Sequence, residues 1–199
     1  MDNFTTIFII GMLMFIGYMY IDNNNNEVAY VVSGFDNQKY LVRNLSDNGD
    51  AADLLARTKG KLLKLCEYLK ENYENKDGIS QLLDRFNPNS ITEAGKNTKY
   101  TSYSVNKGEK IVLCLRSRDE QEQLIDDNTL MFVALHELAH IMTKSIGHTK
   151  EFWRNFKFLL KRAIELNIYQ NEDYNSQPKP YCGIMVSDTP MNDSSIKVE

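Results

Sequence analysis

The spacing of hydrophobic positions changes several times along the chain, and each spacing predicts a different element. An uncharged apolar run covers residues 4–20 and is followed by Asp22 and four asparagines. At about 1.5 Å of rise per residue, a helix of this length nearly crosses a hydrocarbon core of about 30 Å. The run begins without Lys or Arg, and no small-residue cleavage site follows, unlike a signal peptide. We therefore expect a transmembrane anchor in residues 1–22, with a buried helix of the soluble domain as the alternative.

A polar linker is predicted for residues 23–27. After it, some segments have apolar residues at every second position, as in strands, and others at a spacing of 3.6 residues, as in helices. Residues 28–33 and 40–43 alternate as two short strands around a turn. Leucines then recur at helical spacing over residues 50–73, where Asp50 can cap the helix. A shorter helix is predicted over residues 79–86.

The second half of the chain predicts a hairpin and two more helices. These elements are assigned to residues 101–105, 110–116, 130–144 and 149–167. An Asn-Lys-Gly turn joins the two strands, so they should pair in antiparallel fashion. Residues 126–129 supply cap residues for the first helix, and Gly147 ends it. An apolar patch at residues 179–186 should pack back on the domain. We therefore expect one α+β domain over residues 28–199.

Composition and charge narrow the partners of this domain. The net charge is −4, which gives no electrostatic reason to expect nucleic acid. Cys66, Cys114 and Cys182 are odd in number and far apart, so we expect reduced, partly buried thiols and no disulfide framework. The first basic residues after the apolar run are Lys39 and Arg43, which favour a cytosolic side for the domain.

All three histidines of the chain lie in residues 136–148. His136 and His140 are four residues apart on the predicted helix, so both imidazoles face the same side and can bind one Zn²⁺. Glu137 lies one step round the helix and can reach a water on that metal. The other residues of this helix are mostly apolar, and polar groups on a buried helix are costly unless they are paired or ligated.

The third ligand is less closely specified by the spacing. A catalytic zinc usually takes three protein ligands and keeps one position for water. His148 is the best candidate, because Gly147 can adopt backbone angles that turn the chain back toward the site. Glu151 and Glu165 are the alternatives, since some zinc proteases take a glutamate from the following helix. A polar cluster without metal is the remaining alternative.

These residues resemble the WLM and SprT-like families of zincin-type metallopeptidases. Both families have an H-E-L-x-H helix followed by Gly, His and an aromatic residue, which correspond here to residues 136–140, Gly147, His148 and residues 152–153. The resemblance implies zinc, peptide-bond hydrolysis, and a small antiparallel sheet packed on the active-site helix and the following helix. It also implies that the strand over residues 110–116 pairs with substrate.

The expected protein is a membrane-anchored zinc endopeptidase acting on a protein or peptide substrate. Glu137 would activate the zinc-bound water, and the metal would help to stabilise the oxyanion. Tyr169, Tyr174 and Tyr181 are candidates for a second oxyanion donor. One alternative function is a non-catalytic, zinc-stabilised and membrane-tethered interaction module. Another is a protease for DNA–protein crosslinks, because some members of both families act on such substrates.

Overall fold

A computed structural model describes residues 3–198 of the chain, and the side chains of residues 5–19 and 26–198. In chain order the helices and strands are α1 (Asn3–Asn25), β1 (Val28–Val32), β2 (Lys39–Arg43), α2 (Asn48–Tyr73), α3 (Ile79–Arg85), β3 (Ile91–Glu93), β4 (Tyr103–Val105), β5 (Lys110–Leu113), α4 (Asp127–Met142), α5 (Lys150–Glu165), β6 (Lys179–Tyr181) and β7 (Ile184–Val186). Every helix and strand predicted between residues 28 and 167 is present. β3, β6 and β7 are additional.

Helix α1 is apolar around its circumference, and almost all its described side chains are exposed. It extends to Asn25, so it includes the first residues of the predicted linker. In the part of the chain that the structure describes, no helix is both long and apolar enough to cross a membrane, so the transmembrane anchor predicted for residues 4–20 is not supported. The predicted domain boundaries and cytosolic placement stay predictions.

The central sheet has three strands in the order β3-β5-β4. β4 pairs with β5 in antiparallel register, which confirms the predicted hairpin, but β3 pairs with β5 in parallel. The sheet is therefore mixed and not purely antiparallel. Because β5 has a neighbour on both sides, it cannot also pair with a substrate. The prediction that residues 110–116 bind substrate is wrong, since the outer edge next to the active-site helix belongs to β4.

Helix α4 lies at the centre of the domain, between the sheet and helices α2, α3 and α5. Its N-terminus is capped as predicted, because the Asp126 carboxylate accepts bonds from the amides of Asn128 (3.1 Å) and Thr129 (2.9 Å). The helix is buried on nearly every side, and for this reason its sequence is apolar around most of its circumference. Helix α5 is amphipathic and packs its aromatic and aliphatic face against α4.

A disulfide joins Cys114, directly after β5, to Cys182, in the turn between β6 and β7. The prediction of reduced thiols is wrong for this pair, while Cys66 is free and buried. The two half-cystines are 68 residues apart in sequence, so their 6.3 Å Cα–Cα approach is created by the tertiary fold. The bond holds the β6–β7 hairpin against the sheet, and the predicted packing of residues 179–186 on the domain is confirmed through Tyr181 and Cys182, both buried.

Candidate active site

Helix geometry and one glycine bring the three histidines together. His136 and His140 project from the same side of α4, and their Nε2 atoms are 3.2 Å apart. Gly147 has a φ of +82°, a left-handed conformation that reverses the chain as predicted, and His148 follows it. The Nε2 atom of His148 then lies 3.1 Å from that of His136. The three histidines offer ligand atoms that all lie within 4.8 Å of one another.

These distances fit one tetrahedral metal ion. With Zn–N bonds of about 2.0–2.1 Å, two ligand nitrogens of a tetrahedral zinc are about 3.3 Å apart. Two of the imidazoles, those of His136 and His140, are also in the protonation state that a metal ligand requires. Burial, with smaller effects from the neighbouring histidines, lowers the pKa of His136 to about 3. Burial likewise lowers the pKa of His140 to about 4, so both rings are neutral at pH 7 and present a free nitrogen lone pair.

Aromatic rings hold the imidazoles in place from the side of α5. The Phe152 ring is fully buried, and its centroid lies 4.3 Å from that of His140 and 4.9 Å from that of His136. Phe156 packs against His136 at 5.2 Å, and Trp153 against His148 at 5.6 Å. The aromatic pair that the sequence associates with the motif therefore forms the support of the histidine cluster.

Glu137 is 4% exposed and lines the same cleft as the histidines. Burial raises the pKa of its carboxyl to about 7, and a hydrogen bond from the backbone N–H of Ser104 on β4 opposes part of that rise. A carboxyl group with a pKa near the working pH can both accept and return a proton. The position of Ser104 depends on how β4 packs on α4, so no local sequence signal marks it.

The two glutamates proposed as alternative ligands lie elsewhere. Glu151 accepts bonds from the backbone amides of Lys144 (3.0 Å) and Ser145 (3.3 Å), which fixes the turn between α4 and α5. Glu165 lies in the last turn of α5 and pairs with Arg162 at 2.8 Å. Neither belongs to the cluster of potential metal ligands.

The three tyrosines considered as oxyanion donors differ in their position relative to the cleft. Tyr181 lines the cleft, but its hydroxyl donates to the carbonyl of Cys114 (2.9 Å) and lies 2.7 Å from the Ser102 hydroxyl. Tyr169 and Tyr174 are buried beside Phe132 and do not line the cleft. Tyr169 and Tyr174 therefore lie outside the cleft, whereas Tyr181 lines it, and its role as an oxyanion donor stays a prediction.

The cleft has a volume of about 800 Å³ and is bounded by α4, β4, the turn before α5 and the β6–β7 hairpin. Lys107 lies at one end, where its ammonium group donates to the carbonyls of Thr143 (2.8 Å) and Lys144 (2.6 Å) at the end of α4. Lys107 and the hairpin are parts of the site that were not predicted from the sequence. Only the apolar run at residues 179–186 carried a signal for the hairpin.

Proteins similar to this chain occur in large DNA viruses and in yeast. An uncharacterized protein of Acanthamoeba polyphaga mimivirus is 38% identical over 186 residues, which are 92% of each chain. An uncharacterized protein of Invertebrate iridescent virus 6 is 34% identical over 106 residues, which are 53% of this chain and 57% of that protein. The crystal structure of Wss1 from Saccharomyces cerevisiae aligns with a TM-score of 0.47 at 24% identity, over 61% of this chain and 83% of that one.

The family profile of the WLM domain matches residues 54–197. This range contains α4, α5, the histidine cluster, Glu137 and the β6–β7 hairpin. The chain therefore belongs to the WLM domain family of zincin-type proteases.

Proposed function

We propose that this protein is an endopeptidase in which His136, His140 and His148 hold one Zn²⁺ and Glu137 is the general base. The observation that carries this proposal is the convergence of three imidazoles, with ligand atoms within 4.8 Å of one another, beside the buried Glu137 of helix α4. When bound, the zinc supplies a Lewis acid that polarises the scissile carbonyl and lowers the pKa of a water molecule. A purely structural zinc site needs no general base, so Glu137 argues against a non-catalytic module.

Glu137 performs the proton transfers in this mechanism. Its carboxylate accepts a proton from the attacking water and later donates it to the leaving amine. The pKa near 7 suits both steps, because neither protonation state is strongly favoured at neutral pH. The backbone N–H of Ser104 favours the ionised carboxylate, which is the form that accepts a proton from water.

Strand β4 gives the cleft a place for an extended polypeptide. It is an edge strand, paired only with β5 in the described sheet, and residues 101–104 line the cleft. An exposed strand edge binds an extended peptide through main-chain hydrogen bonds. Binding of this kind depends little on substrate sequence, and it places a peptide bond across the histidine cluster.

The test is to compare zinc content and peptidase activity of the full chain with those of Glu137→Gln. We expect one zinc per chain in both proteins, because Glu137 is not a ligand. The wild type should cleave an unfolded protein substrate, and Glu137→Gln should be slower by about 10²–10⁴-fold, since it has lost general-base catalysis. Zinc is measured by inductively coupled plasma mass spectrometry and cleavage by a fluorogenic assay.

Glu165→Gln is the matched control, because Glu165 is half exposed and lies outside the cleft. It should retain wild-type zinc content and activity. A wild type without zinc, or a Glu137→Gln variant as active as the wild type, would contradict the proposal. Zinc without activity on any unfolded protein would instead support the interaction module. Action on DNA–protein crosslinks stays an untested alternative, which binding of the full chain to DNA at physiological salt would favour.

A further inference from the structure

We infer that the cleft selects its substrate through a large apolar side chain, and that Ile184 and Met185 of the β6–β7 hairpin are the specificity-determining residues. This inference rests on the proposed peptidase function and names the substrate class for the same site. It is carried by three features of the cleft: the apolar walls beside His136, the exposed apolar residues of the hairpin, and the charges along the lining.

The wall of the cleft beside His136 is apolar. Phe132 and Val133 lie one turn before His136 on α4, and both line the cleft. Phe156 of α5 closes this side, with its ring centroid 5.1 Å from that of Phe132 and 5.2 Å from that of His136. A substrate side chain entering next to His136 therefore meets aromatic and aliphatic carbon.

The hairpin completes this wall with apolar side chains that face solvent. Ile184 is 51% exposed and Met185 is 55% exposed, and both line the cleft. Adjacent exposed apolar side chains at the mouth of a binding site gain free energy when an apolar group covers them. Ile146, which is 90% exposed, adds a third such side chain in the turn after α4.

The hairpin that carries these side chains is firmly attached. Cys182 is covalently bonded to Cys114, and the Tyr181 hydroxyl is bonded to the main chain at Cys114 and to Ser102. Both attachments immediately precede Ile184 and Met185 in the chain. The apolar wall is therefore positioned before substrate arrives, which reduces the entropy lost on binding.

The charged residues that line the cleft disfavour an acidic substrate side chain. One of them, Asp188, can pair with a basic substrate side chain. The Lys107 ammonium is already bonded to backbone carbonyls, so it is not available to a carboxylate. Asp188 is an exposed carboxylate beside the hairpin, and the one bond shown for it is from the amide of Thr189. Among the described lining residues, the order of preference that follows is apolar first, basic second and acidic last.

The experiment uses quenched fluorescent peptides that share one sequence and differ only at the positions flanking the cleaved bond, with Leu, Phe, Ser, Lys or Asp. We expect kcat/KM for the Leu or Phe peptides to exceed that for the Ser and Asp peptides by at least about tenfold. Met185→Glu should lower kcat/KM for the Leu and Phe peptides about tenfold and raise it for the Lys peptide. Val32→Glu is the matched control, since Val32 is 54% exposed on β1 and lies outside the cleft, and it should change neither value.

Fluorescence anisotropy of the same peptides bound to zinc-loaded Glu137→Gln separates selection from hydrolysis. Tighter binding of the Leu and Phe peptides, abolished when Met185→Glu is added, supports the inference. This holds even if the wild type cleaves no peptide, because the absence of cleavage would overturn only the proposed function. The inference is overturned if all peptides bind and react equally, if Lys or Asp peptides are preferred by the wild type, or if Met185→Glu behaves like Val32→Glu.

Discussion

At the scale of single residues, the site combines side chains placed by one helix with groups placed by the packing of other elements. The four-residue spacing of His136 and His140 makes both side chains point in the same direction from the helix. The same helix places Glu137 one residue after His136, beside the pair. The left-handed turn at Gly147 is also a local property, and it brings His148 beside His136. Ser104 lies on another element, and its bond to Glu137 results from the packing of β4 on α4.

Replacing His148 tests the ligand set directly. We expect His148→Ala to weaken zinc binding by more than about 100-fold, because the site would lose one of its three imidazoles. The fold should persist, since His148 is exposed. Competition with a chromophoric chelator measures the affinity, and circular dichroism checks the fold. Glu165→Ala is the control and should bind zinc as the wild type does. Equal affinity in His148→Ala and the wild type would refute the assigned role.

At the scale of elements, the long periodic segments were predictable and the three-residue strands were not. Helices α2, α4 and α5 have 16 to 26 residues, so several turns report the same apolar face. β3 has only three residues, too few to show a period, and its parallel pairing with β5 occupies the edge that the β4–β5 hairpin alone would leave open on β5. The role of β4 therefore depended on a neighbour that the pattern does not reveal.

Removal of the disulfide tests how the hairpin is held. We expect Cys182→Ser to lower the free energy of unfolding by about 2–4 kcal/mol, because the bond closes a loop of 68 residues in the unfolded chain. Urea denaturation measures the change. The wild type should lose a similar amount in dithiothreitol, whereas Cys182→Ser should show no further loss. In the control Cys66→Ala, the effect of dithiothreitol should persist, and equal stability with and without reductant would show that the bond contributes nothing.

At the scale of the whole molecule, the α+β class and the WLM membership could be reached from the sequence, whereas the cysteine pairing and the state of the N-terminal segment could not. The pairing of Cys114 with Cys182 requires the tail to return to the sheet. The apolar run over residues 4–20 does form a helix, but hydrophobic content alone did not establish that it spans a membrane.

Chelation of zinc tests how far the metal contributes to global stability. The proposed ion connects α4 to the turn before α5, so it should bind the folded chain only and stabilise it by about 2.7 kcal/mol at one hundred times its dissociation constant. For a chain of this length, that corresponds to a fall in Tm of roughly 5–10 °C when zinc is removed by EDTA. Differential scanning calorimetry measures the shift, and added zinc should restore Tm. An unchanged Tm would contradict metal binding by the folded state.

The cystine between β5 and the hairpin turn means that one amino-acid sequence corresponds to two covalent molecules. The oxidised molecule has a single free thiol, Cys66, and the fully reduced one has three. The hairpin wall of the cleft is covalently attached to the sheet in only one of them, so samples prepared with and without reductant are not equivalent even when their purity agrees. A thiol titration under denaturing conditions distinguishes them, with one reactive group per chain for the oxidised molecule and three for the reduced one.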